Sequence, residues 1–309
     1  MIMKALVATQ KPFAAKAVEG IKAIFKAAGI ETVMLEKYVS EAELIESVAD
    51  VDALIVRSDK VTKAVLDAAK KLKIVVRAGA GYDNLDLEAC TAHNVVAMNT
   101  PGQNANAVAE LAIAFMIYMS RNRFTPGTGS EISGKRLGLQ AFGNVARLVG
   151  AKAAALGMKV MAYDPFVKPE DMEAAGVEVA ASLEQLYGSS DFVSLHIPAT
   201  PQTVGSVGAS LVSLMPKGAC LVNTARKEVI DEASLLALLS GGRDDLKYVA
   251  DVAPDAAADF EQALGKRYFA TPKKMGAETA EANVNAGLAA ANQIVAYLKE
   301  GCERFRLNR

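Results

Sequence analysis

The sequence predicts an α/β protein of two doubly wound, open parallel sheets, one domain being inserted into the other. Three observations carry this. Short apolar strands alternate with helical patterns along nearly the whole chain, as in parallel sheets covered by helices. At 309 residues the chain is long enough for two domains. The alternation is also interrupted once, by a long apolar helix and a glycine-rich excursion, and then restarts.

In the first series, "MKALVAT" (3–9), "TVMLEK" (32–37), "ALIV" (53–56), "KIVV" (73–76) and "VVAM" (95–98) read as strands. "AAKAVEGIKAIFKAAG" (14–29) has the helical period and stops on Gly29. Residues 103–121 form the apolar helix. Its most apolar stretch, "LAIAFMIYM" (111–119), is far shorter than a membrane span and reads as a buried helix. "TPGTGSEISGKR" (125–136) breaks the pattern with glycines and a proline.

The second series runs through "LGLQ" (137–140), "MKVMAYD" (158–164), "VEVA" (177–180), "FVSLHIP" (192–198), "CLVNTA" (220–225), "KYVADV" (247–252) and "YFAT" (268–271). A final helix runs from about Glu278 to Glu300 and ends before Gly301. A chain that leaves a domain by one helix can return by another. The expected division is therefore 1–100 with 283–309 for the first domain and 101–282 for the inserted one, the active site lying in the cleft between them.

Composition narrows the class. Hydrophobic residues make up 51% of the chain, a globular balance. Lys+Arg 34 against Asp+Glu 35 gives a net charge of −1, and no basic block stands out, so neither a nucleic-acid partner nor a membrane partner is implied. Cys90, Cys220 and Cys302 have the spacing of neither a metal site nor a disulfide scaffold. With no secretory signal segment, the expectation is a reducing cytoplasm and no metal.

A dinucleotide site is suggested by "AFGNVA" (141–146), between the first strand of the second series and a helix. Of the usual G-x-G-x-x-G, only the central Gly143 remains, flanked by Ala141 and Ala146. The central glycine lets backbone approach the pyrophosphate. The third permits close helix packing, where alanine fits. The first serves a tight turn, so Ala141 is the odder substitution. The next strand ends in Asp164, a carboxylate that would accept from the adenosine ribose hydroxyls and repel a 2′-phosphate, which favours NAD over NADP. The cofactor-facing candidates are Gly143, Asn144 and Val145 at the turn, Asp164, and His196, Ile197, Pro198, Thr224 and Ala225 at strand ends, which line the crevice in open parallel sheets.

Arg226 follows "CLVNTA" into the same crevice, where a guanidinium can hold a carboxylate in a bidentate fork. A dehydrogenase also needs an acid/base to exchange a proton with the substrate hydroxyl. The chain has two histidines. His93 lies at a helix-end loop and His196 beside the cofactor, so neither is obvious. "FATPKKMGAET" (269–279), with Lys273 and Lys274 between a strand and the final helix, supplies the missing group.

"IVRSDKV", "VVRAGAGYDNLDLEA", "MNTPGQNANAVAEL", "VSLHIPAT" and "LMPKGACLVNTARKEVIDEASLLALL" resemble the D-2-hydroxyacid dehydrogenase family, most of all its branch acting on D-3-phosphoglycerate. The resemblance covers nearly the whole chain. It implies a Rossmann-type NAD domain inserted into a flavodoxin-like substrate domain, a homodimer, and NAD-dependent oxidation of D-3-phosphoglycerate to 3-phosphohydroxypyruvate, the first step of serine biosynthesis. The sequence does not fix the dimer surface; the long helix and the 123–136 excursion are candidate parts of it. By resemblance, Arg226 takes the substrate carboxylate, and Asp251 and Gly276 lie near the nicotinamide. Ala78, Gly79 and Ala80 in "RAGAG" contact substrate through backbone amides. Arg57 and Ser58 face the phosphate, with Arg77 adding positive charge.

Two positions depart from the family. Its catalytic histidine is replaced within "TPKKMGAET". The proline aligns Lys273 with it, whereas Gly276 and the downstream helix align Lys274, which is the preferred assignment. The glutamate that pairs with that histidine should lie five residues after Asp251, where this chain has Ala256, next to Asp255. The two losses fit one another. A carboxylate partner would push a lysine further above neutrality, whereas burial and nearby Arg226 would pull it toward the range useful for acid/base work, about 7–8. Two other readings remain open: reduction of glyoxylate, hydroxypyruvate or another small 2-keto acid, and a catalytically silent NAD-binding regulatory protein. Longer relatives carry a serine-binding C-terminal domain. This sequence stops at Arg309, so feedback by that route is not expected.

Overall fold

The structure, a computed structural model, describes residues 2–308. The first unit holds β1 (Lys4–Thr9), α1 (Ala15–Ala27), β2 (Glu31–Glu36), α2 (Glu41–Val48), β3 (Ala53–Val56), α3 (Lys63–Ala68), β4 (Ile74–Arg77), α4 (Leu87–Ala92) and β5 (Val96–Asn99). Its five strands are all parallel in the order β2-β1-β3-β4-β5, the flavodoxin-like arrangement. Both faces are covered. Ala5 and Val7 of β1 pack on one side, Leu6 and Ala8 on the other. That double burial is why the strands read as continuous apolar runs rather than alternating ones.

The second unit, Ala105–Glu278, holds α5 (Ala105–Ser120), β6 (Arg136–Gln140), α6 (Asn144–Ala155), β7 (Lys159–Tyr163), α7 (Pro169–Glu173), β8 (Glu178–Val179), α8 (Leu183–Gly188), β9 (Phe192–Leu195), α9 (Ala209–Val212), β10 (Cys220–Asn223), α10 (Glu232–Gly241), β11 (Lys247–Ala250), α11 (Ala257–Leu264) and β12 (Tyr268–Ala270). Its seven strands are parallel, ordered β12-β11-β10-β9-β6-β7-β8. The order reverses between β6 and β9, the topological switch point of a Rossmann-type sheet. α5, apolar nearly all round, packs with α6 against one face. No described helix is long and apolar enough to cross a membrane.

α12 (Ala280–Glu300) closes the chain and belongs with the first unit. Thr279 caps it by accepting from Ala282 N at 3.1 Å, and Gly301 ends it at φ 68, the ordinary αL stop. It lies close against α1. A side chain at Gly20 would overlap Leu288, and one at Gly287 would press on Ile21 and Phe13.

Several strands are shorter than their apolar runs. The segments expected over 192–198, 220–225 and 247–252 stop at Leu195, Asn223 and Ala250. The cause is register: Gln140, Leu195, Asn223, Ala250 and Ala270 are successive partners across the sheet. The strands end together, and the residues beyond them turn out as loops at a common edge.

Candidate active site

That edge carries the site residues of the second unit. After β6 the chain turns through Ala141, Phe142 and Gly143 into α6. Ala141 has φ 78, the left-handed region that favours glycine. This explains why the usual motif has glycine there, and leaves this alanine strained. Gly143 caps α6 with φ −81, and a Cβ on it would meet nothing within 4 Å. The space above the helix N-terminus is open, as close approach of a phosphate requires. Ala146 is fully buried, which satisfies the packing role of the third position. Asn144 is exposed and Val145 half-buried beside it.

Asp164, just past β7, accepts from Phe142 N and Phe166 N, each at 2.8 Å. The carboxylate thus ties the β6 turn to the β7 turn and keeps lone pairs for further donors. Beyond β9, His196 has a buried Nε2 with no partner among the described residues, and burial pushes its imidazole down to about 3. It is therefore neutral at physiological pH and unsuited to general-base work. Ile197 and Pro198 continue the loop, half-buried and exposed. Thr224, just past β10, also has a buried Oγ1 without a partner among the described residues. Unpaired buried polar atoms are uncommon in native structures and call for a ligand or water.

Next to Thr224 the chain turns through Ala225 and Arg226. Arg226 is exposed, and among the described residues its guanidinium has one partner, the Ala225 carbonyl, to which Nη1 donates at 2.9 Å. Lys274 reaches the same oxygen from the β12 side, Nζ donating at 2.8 Å. Burial, and then the Arg226 charge beside it, hold the Lys274 amine down at about 8, against weaker upward pulls from Asp251 and Glu228. Lys273 is exposed and makes no hydrogen bond among the described residues.

The Lys274 loop is held from beneath. Asp251, 3% exposed at the end of β11, accepts from Thr271 Oγ1, Met275 N and Gly276 N, all at 2.8 Å. A Cβ on Gly276 would press on the same carboxylate at 2.9 Å. Val252, which follows Asp251, has φ 124 and donates its N–H to Thr271 at 3.0 Å. A β-branched residue there is backbone strain of the kind that collects at functional sites.

The position of the family's glutamate offers no carboxylate. Ala256 N and Asp255 N both donate to Glu232, at 2.9 and 3.0 Å. Asp255 itself pairs with Lys227 at 2.5 Å, and that contact raises the Lys227 amine. Asp255 is thus engaged away from Lys274. Sequence reasoning missed Asn223, Thr271 and Glu232. Each is a polar residue at the end of, or beside, an apolar element, and each fastens a loop.

In the first unit, the Arg57 guanidinium donates to Lys11 O at 3.1 Å and Pro12 O at 3.3 Å, bonds Asn283 Oδ1 of α12, and lies over the Phe13 ring. Ser58 beside it is exposed. Arg77 Nε donates to Arg57 O at 3.0 Å. A side chain at Gly79, φ 154, would overlap the Arg77 guanidinium. Ala78 is buried and Ala80 half-buried. The β3 and β4 ends are thereby fastened to each other.

The family model for the D-isomer specific 2-hydroxyacid dehydrogenase catalytic domain matches residues 9–308. The chain belongs to that family. Among curated relatives it is similar to D-3-phosphoglycerate dehydrogenase of Methanocaldococcus jannaschii, 35% identical over 84% of this chain and 52% of the relative. It is also similar to that of Mycobacterium tuberculosis, 36% identical over 82% and 50%. The chain spans about half the length of these curated relatives. Among solved structures, the NAD+-bound 3-phosphoglycerate dehydrogenase of Entamoeba histolytica is 45% identical, with TM-score 0.86 over 100% of this chain and 99% of that one. D-2-hydroxyisocaproate dehydrogenase, at 20% identity and TM-score 0.85 over 99% and 100%, shares the fold.

Proposed function

We propose that this protein oxidises D-3-phosphoglycerate to 3-phosphohydroxypyruvate with NAD, the opening step of serine formation. The supporting comparison is the 45% identity, over the full chain, to the NAD+-bound Entamoeba histolytica enzyme. The observation that carries the chemistry is the pairing of a half-buried Lys274, held at about 8, with an open Arg226 guanidinium.

The residues fit a dinucleotide. The open space at Gly143, the carboxylate of Asp164 and the unpartnered atoms of His196 and Thr224 are what such a ligand would complete. Gly143, Asn144 and Val145 would take the pyrophosphate. Asp164 would take the ribose hydroxyls, and His196, Ile197, Pro198, Thr224 and Ala225, with Asp251 and Gly276, the remainder. Bound NAD supplies the hydride acceptor.

Arg226 would grip the substrate carboxylate in a fork, which orients C2. Lys274 as the neutral amine would accept the C2 hydroxyl proton as hydride leaves, and as the ammonium return it during reduction. Asp251 holds the Lys274 loop in place. Arg57, Ser58 and Arg77 are assigned to the substrate phosphate, and the amides of Ala78, Gly79 and Ala80 to its polar oxygens. A homodimer is proposed, using the 123–136 excursion, where Phe124 is 70% exposed. A cytoplasmic setting agrees with three cysteines left free.

The test is turnover of purified protein with NAD and D-3-phosphoglycerate, beside hydroxypyruvate and glyoxylate with NADH. Preference for the phosphorylated acid supports the proposal. Turnover of only the unphosphorylated keto acids moves the assignment to a small 2-keto acid reductase, and no turnover with tight NADH binding moves it to a regulator.

A further inference from the structure

We propose that Asn223 is a positioning residue for the acid/base, clamping the Ala225–Arg226 turn so that its carbonyl holds Lys274 and Arg226 together. The proposal rests on the preceding section only for the name acid/base. The clamp itself is geometry.

Asn223 is the last residue of β10, after three apolar neighbours, and is 3% exposed. A buried amide in that place is costly unless bonded. Both of its polar atoms are aimed at one turn. Oδ1 accepts from Ala225 N at 3.0 Å, and Nδ2 donates to Arg226 O at 2.8 Å. The two bonds grip the chain on either side of the Ala225 carbonyl. That carbonyl is the oxygen reached by Lys274 Nζ at 2.8 Å and Arg226 Nη1 at 2.9 Å. A single side chain therefore sets the direction of the acceptor on which both cations meet.

The arrangement takes over work that a side-chain carboxylate would otherwise do. Among the described residues no carboxylate bonds Lys274; Ala256 has none, and Asp255 is bound to Lys227. A neutral acceptor can orient a neutral amine without stabilising its charged form as a carboxylate would. The charged groups facing Lys274 are Arg226, Asp251 and Glu228. Tyr248, beside Asn223, has its phenol pushed up by burial and stays uncharged. Removing the Asn223 amide changes no charge, so any effect on Lys274 comes through position.

The test compares Asn223→Ala and Asn223→Ser with Val222→Ala, a buried residue of the same strand whose side chain packs in the core. The intact chain is acylated with an amine-reactive reagent over a pH series, and modification of Lys274 is read by peptide mass spectrometry, without need of turnover. In the parent the midpoint falls at about 8. The clamp predicts a rise of about one unit or more in Asn223→Ala, with a smaller rise in Asn223→Ser, because a loosened turn lets the amine move into water and away from Arg226. Val222→Ala lowers thermal stability and leaves the midpoint in place. Kinetics add a second reading: KM for the acid rises with loss of Arg226 alignment while kcat falls near neutrality.

An unmoved midpoint in folded Asn223→Ala overturns the proposal. Should that variant not fold, an unmoved midpoint in Asn223→Ser overturns it equally. Turnover that persists in Lys274→Ala would remove the acid/base assignment and leave the labelling result to decide the clamp on its own.

Discussion

Lys274 Nζ and Arg226 Nη1 donate to one oxygen, the Ala225 carbonyl, at 2.8 and 2.9 Å. Two cations brought to a single neutral acceptor repel one another, and this repulsion adds to burial in favouring the uncharged amine. A neutral amine keeps a hydrogen for Ala225 and frees its lone pair for a substrate proton. Both features that the proposed lysine base requires are thus supplied by neighbours.

The first consequence is a pH dependence. With Lys274 as the proposed base, oxidation should speed up as pH passes about 8, while reduction, which would use the ammonium, should fall through the same pH. Stability follows the same proton. The folded value is lowered from 10.5 to about 8, so between those pH values the unfolded chain holds a proton that the folded chain lacks. Folding stability from this residue therefore increases with pH across that window. Measured against Lys274→Met, the parent should gain on the order of 1–2 kcal/mol between the two ends, after allowance for solvent screening. Paired denaturation curves over the pH series check it.

Gly143→Ala separates cofactor binding from folding. The new Cβ meets nothing within 4 Å and φ is −81, so thermal stability should hold or rise by about 0.5 kcal/mol. A dinucleotide phosphate approaching that backbone would meet the methyl group, and NADH affinity should fall about tenfold or more. Calorimetric titration and a melting curve on the same sample give both numbers.

Asp251→Asn puts an amide NH2 or a single oxygen where a carboxylate receives three donors. At least one buried N–H or O–H loses its acceptor, for a cost of about 2–4 kcal/mol. Amide exchange at Met275 and Gly276 should accelerate, and turnover should fall as the Lys274 loop loosens.

Ala141→Gly relieves a φ of 78. Left-handed alanine costs about 1–2 kcal/mol, partly offset by the greater freedom of glycine when unfolded. A net gain of about 0.5 kcal/mol is expected, seen as a higher denaturation midpoint. A lower midpoint would show that the strain is relieved elsewhere.

The parts of the fold legible in the sequence are those set by local pattern. The β1 to β5 runs are continuous because both sheet faces are covered, and α12 announces its end with Gly301. Gly143 and Arg226 are legible by position, each following an apolar strand. Common strand termination at Leu195, Asn223 and Ala250 is not, because register depends on neighbours in space. Nor is the Ala225 carbonyl: a backbone acceptor has no letter in the sequence. Asp255 illustrates the converse. It stands next to the position of a catalytic carboxylate, yet Lys227 and the Glu232 bonds to the Asp255 and Ala256 amides settle its direction.

The most direct test of the lysine mechanism is the pH profile of D-3-phosphoglycerate oxidation by the parent, Lys274→Ala and Lys273→Ala. The expected result is a parent rate rising through about 8, a Lys273→Ala profile of the same shape, and a loss of about 10²–10⁴-fold in Lys274→Ala with NADH affinity retained. Near-parent turnover by folded Lys274→Ala, or loss confined to Lys273→Ala, would contradict it.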